Sequence, residues 1–85
     1  MILKKLIVHL QKGLQARNAT QFVQKASSFN SDIKINKNGR SVEGKSIMGV
    51  MAIAIRNKEE ITLTINGTDE QEALVSLRNF LQSEK

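Results

Sequence analysis

The apolar residues of this chain switch repeatedly between a period of two and the period of a helix, and the order of those switches constrains the fold more than any other feature. Leu6, Val8 and Leu10 alternate with Ile7, His9 and Gln11, which predicts a first strand from about Leu3 to Leu10 with His9 pointing away from the core. Ala19, Phe22, Val23, Ala26 and Phe29 then fall at helical spacing between Ala16 and Phe29, with Gln21, Gln24, Lys25 and Ser28 on the other side. Ile33 and Ile35 alternate with Lys34 and Asn36. Asn38-Gly39 supplies the two residues of positive φ that a type I′ hairpin requires, and Val42 lies on the return strand.

The second half repeats the logic. Ser46 to Ile55 is apolar almost all round and opens on a serine suited to capping, which predicts a short helix. Ile61, Leu63 and Ile65 alternate with Thr62 and Thr64 in a fourth strand. After Gly67, Thr68-Asp69-Glu70-Gln71 fits a capping box with acids in the first turn, and Ala73, Leu74, Leu77 and either Phe80 or Leu81 form the inward stripe of a last helix. The order is βαββαβα. It predicts an α+β fold in which a sheet is covered on one face by helices.

Length and composition bound what such a fold can do. Eighty-five residues, with no linker, repeat or low-complexity segment, predict a single domain over residues 1–85. No apolar run approaches the roughly 20 residues that span a bilayer, so no membrane role is expected. The N-terminal MILKKLIVHL carries lysines inside its apolar run and lacks a small-residue cleavage site, so it reads as a strand and the chain as cytoplasmic. With no cysteine and one histidine, no metal or other cofactor is expected.

Charge is uneven: up to Lys58, eleven Lys and Arg face only Asp32 and Glu43, whereas from Glu59 onward Arg78 and Lys85 face six acids. A solvated basic surface, a nucleic-acid surface and a field that steers an acidic partner or a phosphate all fit this distribution. Scattered basic residues and only three aromatics, all Phe, favour the first over nucleic acid.

Two stretches carry chemistry. In Gly13-Leu14-Gln15-Ala16-Arg17-Asn18 a loop enters a helix whose free amides and dipole suit an anion, and Arg17 adds a fork of donors. A plain strand-to-helix connection with an exposed arginine fits the same residues. Gln15 cannot carry a phosphoryl group, because its amide nitrogen lone pair is delocalised into the carbonyl. His9 is too far along its strand to replace it. At the second stretch Ser46 is a helix cap. If Val50 and Ile53 turn inward, Ile47, Met48 and Met51 gather on the outer side, where they either pack on a neighbouring loop or meet a partner; a helix apolar all round favours the partner. No nucleophile and base form a plausible pair, so an enzyme is not expected.

Taken over essentially the whole chain, the βαββαβα order, "GLQAR" at the first helix, "KSIMGVM" at the second and "GTDEQEAL" at the third resemble the HPr family. That resemblance implies an open-faced β-sandwich, a four-stranded antiparallel sheet with three helices on one face. In HPr phosphocarriers of the sugar phosphotransferase system, a phosphate-accepting histidine stands where this chain has Gln15, followed by residues matching Ala16 and Arg17. A glutamine there beside an intact Ser46 region is similar to the catabolite repression HPr-like proteins, which are regulatory. The resemblance implies phosphorylation of Ser46 by HPr kinase/phosphorylase, using ATP or pyrophosphate and a metal held by that enzyme. It further implies docking on catabolite control protein A, a LacI-type repressor, through Ile47, Met48 and Met51 with support from Arg17, and with DNA bound by the repressor alone. A phosphocarrier and another protein-binding module of the same fold are the alternatives. Asn18 stands where the family usually has proline and could itself cap the helix, moving its start by a residue or two. Short edge strands can support strand exchange, which leaves monomer and homodimer both open.

Overall fold

A computed structural model describes residues 1–83. The elements follow the expected order: β1 (Ile2–Ile7), α1 (Ala16–Ser27), β2 (Asp32–Lys37), β3 (Arg40–Glu43), α2 (Ile47–Ala52), β4 (Glu60–Asn66) and α3 (Glu70–Leu81). The strands form one antiparallel sheet in the order β1-β4-β2-β3, so β4 and β2 lie at its centre while β1 and β3 form its edges. Registers such as Leu6 with Ile61, Ile35 with Leu63 and Ile33 with Ile65 align the apolar residues on one face. The three helices cover that face in an open-faced α+β sandwich, and Phe22, Val50, Leu77 and Leu81 complete the core over it. On the other face Leu3, Lys5 and Ile7 lie exposed.

Local chemistry explains most boundaries. At the hairpin tip Asn38 (φ 53°) and Gly39 (φ 83°) adopt the left-handed geometry of a type I′ turn. The expected strand Leu3 to Leu10 stops at Ile7 instead. Val8 and Leu10 are still buried, but Val8 exchanges hydrogen bonds with Lys58 and Glu59, and the His9 amide bonds the Leu81 carbonyl, so a loop replaces the ladder. His9 is half-buried in a small cleft with Gln11, Asn57 and Lys58. Helix α1 ends at Ser27, two residues short of Phe29, which packs against the core from the turn beyond.

Helix α2 is shorter than the Ser46 to Ile55 expectation. It stops at Ala52 because Ala54 takes a positive φ of 49° and Lys37 Nζ binds the carbonyls of Ile53 (3.2 Å) and Ala54 (2.9 Å). The capping box at Thr68 does not form: Asp69 is the N-cap of α3 and makes no side-chain cap bond. Its carboxylate instead accepts the amides of Asn30 (2.8 Å) and Ser31 (3.0 Å) and the buried Ser31 hydroxyl, tying the α1-β2 turn to α3. The acids Glu70 and Glu72 do occupy the first turn, and of the two candidates for the last inward position Leu81 is buried while Phe80 lies at the edge beneath Lys25.

Candidate functional site

The loop before α1 is held by backbone geometry. Gly13 has φ +65°, and a Cβ there would collide with the Ile55 carbonyl oxygen, so glycine is required on both counts. The next amide, of Leu14, donates to the same Ile55 oxygen at 2.9 Å, and the Leu14 side chain is fully buried. The loop is therefore fastened to the segment that follows α2.

Gln15 is the N-cap of α1, with extended φ and ψ and no side-chain cap bond, and it points into solvent. Ala16 takes a left-handed φ of 49°, a strained conformation for a residue with a Cβ. Asn18 neither caps the helix nor moves its start. Its backbone amide donates to the Gln15 carbonyl at 3.0 Å and its side-chain amide to the Gly13 carbonyl at 2.9 Å, two bonds that a proline could not make. Gln11, Lys12, Gln15, Ala16, Arg17 and Asn18 line an open cleft of about 610 Å³. Lys12 and Arg17 are exposed and no acid lies in the first turn of α1, so the cleft is electropositive. An anion suits it electrostatically, while the Gln15 amide at the helix entry cannot hold a phosphoryl group covalently.

Ser46 is built differently. Its extended backbone ends the turn after β3, and its Oγ accepts the Gly49 amide at 3.1 Å as the cap of α2. The hydroxyl is half-buried, and among the described residues its hydrogen meets no acceptor. Val50 and Ile53 turn into the core, with exposures of 0% and 4%. Ile47, Met48 and Met51 are left at 38%, 80% and 47%, the outer patch that helical geometry predicts from those two inward residues. They do not pack under a neighbouring loop. The adjacent cation, Lys45, donates to the Phe29 carbonyl at 2.8 Å.

Ser46, Ile47, Met48 and Met51 thus share one short element, while Gln15 and Arg17 open α1, which packs beside α2. One part of the framework had no signal in the sequence. Lys37, at the end of β2, also meets Glu59 Oε1 at 2.9 Å, and the same oxygen accepts the Arg56 amide at 2.6 Å. The hydrogen bond from Lys37, then that from Arg56, hold the Glu59 carboxyl below its usual value. This knot fixes the segment joining α2 to β4, on which the Gly13 loop also rests. Among the described residues no helix is long and apolar enough to cross a membrane.

Comparison with known proteins places these features in a family. The family model described as the PTS HPr component phosphorylation site matches residues 2–83. The HPr-like protein Crh of Bacillus subtilis (strain 168) is 48% identical over 84 residues, covering 99% of each chain. The crystal structure of a phosphocarrier protein HPr from Bacillus anthracis str. Ames superposes with a TM-score of 0.93 at 47% identity, covering 95% of this chain and 96% of that one. The Bacillus subtilis Crh crystal structure, described as a domain-swapped dimer, gives 0.78 at 48% identity over 99% of this chain and 97% of its own.

Proposed function

The chain belongs to the HPr family, and from that premise we propose that it is a regulator of carbon catabolite repression that has lost the phosphocarrier reaction. HPr kinase/phosphorylase phosphorylates Ser46, and the phosphoserine form serves as corepressor of catabolite control protein A. The observation that carries this reading is the placement of the Ser46 hydroxyl beside three exposed apolar side chains, Ile47, Met48 and Met51. Phosphorylation adds close to two negative charges beside a hydrophobic patch without requiring α2 to unfold. A partner that needs both the charge and the patch ignores the unmodified protein.

In this reading Ile47, Met48 and Met51 are the apolar anchors, Arg17 supports the charged part of the contact, and the repressor alone binds DNA. The metal of the phosphorylation reaction belongs to the kinase. Gln15 marks the vacated phosphocarrier position, so sugar phosphorylation does not pass through this chain. The protein acts in the cytoplasm as one domain spanning residues 1–85. A homodimer is also consistent with β1, an edge strand paired only with β4, and with the swapped dimer described for the Bacillus subtilis relative. The test is incubation with HPr kinase/phosphorylase, ATP and a divalent metal, followed by mass-spectrometric location of the modified residue. Phosphate on Ser46, lost in Ser46→Ala, is expected; phosphate elsewhere or nowhere would overturn the proposal.

A further inference from the structure

Gly49 sits in the middle of α2, where glycine weakens a helix by roughly 0.5–1 kcal/mol relative to alanine. A helix of six residues has little stability to give away. Its backbone does not explain the choice, because Gly49 is not among the positive-φ residues. The surroundings do. A Cβ at this position would lie 3.3 Å from Val42 Cβ, 3.4 Å from Ser46 Oγ and 3.5 Å from Ser46 Cβ. The room beside the Ser46 hydroxyl is therefore bounded by β3 on one side and by the bare Cα of Gly49 on the other.

We propose that Gly49 is the specificity-determining residue that admits a phosphoryl donor to Ser46. This rests on the reading of Ser46 as the phosphoacceptor and adds what makes that serine competent. In the transfer Ser46 Oγ forms a bond to the γ-phosphorus of a nucleoside triphosphate as the bond to the bridging oxygen breaks. The nucleoside diphosphate leaves with that electron pair, and the hydroxyl proton passes to a base of the kinase. The incoming group must occupy space directly beside Oγ. A Cβ at position 49 would sit in van der Waals contact with Oγ at 3.4 Å, and Val42 Cβ, 3.3 Å away, leaves it no room to retreat. The exposed faces of Ile47, Met48 and Met51 are untouched by the change, so its effect falls on the space at Oγ and not on the surface around it.

The experiment compares wild type, Gly49→Ala and Gly49→Val as full chains with HPr kinase/phosphorylase and ATP, below the melting temperature of each variant as read by circular dichroism. For Gly49→Ala the expected result is a kcat lower by roughly tenfold or more at little-changed KM, with the melting temperature moved by less than about 5 °C. Gly49→Val should lose more. Phosphorylation of Gly49→Ala at the wild-type rate would overturn the proposal, as would a variant that cannot fold, since packing against Val42 would then account for the glycine. Failure of the wild type itself to take phosphate on Ser46 would instead reject the function on which the proposal rests.

Discussion

Lys37 Nζ lies 2.9 Å from Glu59 Oε1 and also binds the carbonyls of Ile53 and Ala54, so one amine closes the end of α2 and fastens it to the start of β4. Only 15% of the Lys37 side chain is exposed. Removing the amine leaves half-buried carbonyl oxygens without a partner. Lys37→Met, which keeps the aliphatic stem, should therefore lower stability by about 1–3 kcal/mol in urea denaturation. A change below a few tenths would show that water replaces the amine.

Asp69 supplies the acid sensitivity. The Ser31 hydroxyl first, then the Asn30 amide, hold its carboxyl below the usual 3.8, and Glu59 lies below its usual 4.5 for the reasons given above. A lowered folded-state value means that the unfolded chain binds more protons, so stability rises with pH. The contribution is complete above the ordinary carboxyl values and is lost as the pH falls through the lowered folded ones. Denaturation midpoints measured from about pH 6 to about pH 2 should fall for the wild type. Asp69→Asn should start lower at neutral pH and fall less steeply, its remaining slope coming from Glu59 and the other carboxyls.

Met48 and Met51 separate folding from binding. Both are exposed, so Met48→Ala and Met51→Ala should change stability by no more than about 0.5 kcal/mol. Each should weaken binding of the phosphorylated protein to catabolite control protein A by about 1–2 kcal/mol, measured calorimetrically. Loss of stability without loss of affinity would place these methionines in the fold instead of the interface.

Gln15 leads to an expected negative result. After incubation with phosphoenolpyruvate and the general enzyme of the phosphotransferase system, the protein should carry no acid-labile phosphate, because an amide nitrogen is not a nucleophile at neutral pH. Label on His9 or any other residue would restore a carrier role.

The sheet was legible where a residue type has one cheap conformation. Asn38-Gly39 announces its turn through positive φ, and the Ile61, Leu63, Ile65 alternation announces a half-buried strand. Ser46 was legible as a cap because serine before an apolar run has few other uses. What stayed hidden was decided by partners distant in sequence. Asp69 abandons its own helix for Asn30, thirty-nine residues away. Val8 leaves the ladder for Lys58 and Glu59, and α2 ends where Lys37 arrives from another strand. Periodicity reports which face is buried, and it is blind to a polar side chain that reaches across the fold. The patch at Ile47, Met48 and Met51 could be read because the inward positions Val50 and Ile53 leave the opposite side of a short helix no other place to go.

The most direct test is a calorimetric titration of catabolite control protein A with two forms of this protein, unmodified and stoichiometrically phosphorylated on Ser46, at one salt concentration. Binding tighter by roughly tenfold or more for the phosphorylated form is expected from a charge-assisted contact beside an apolar anchor. Equal affinity of the two forms, or absence of binding by the phosphorylated one, would contradict a corepressor switched at Ser46.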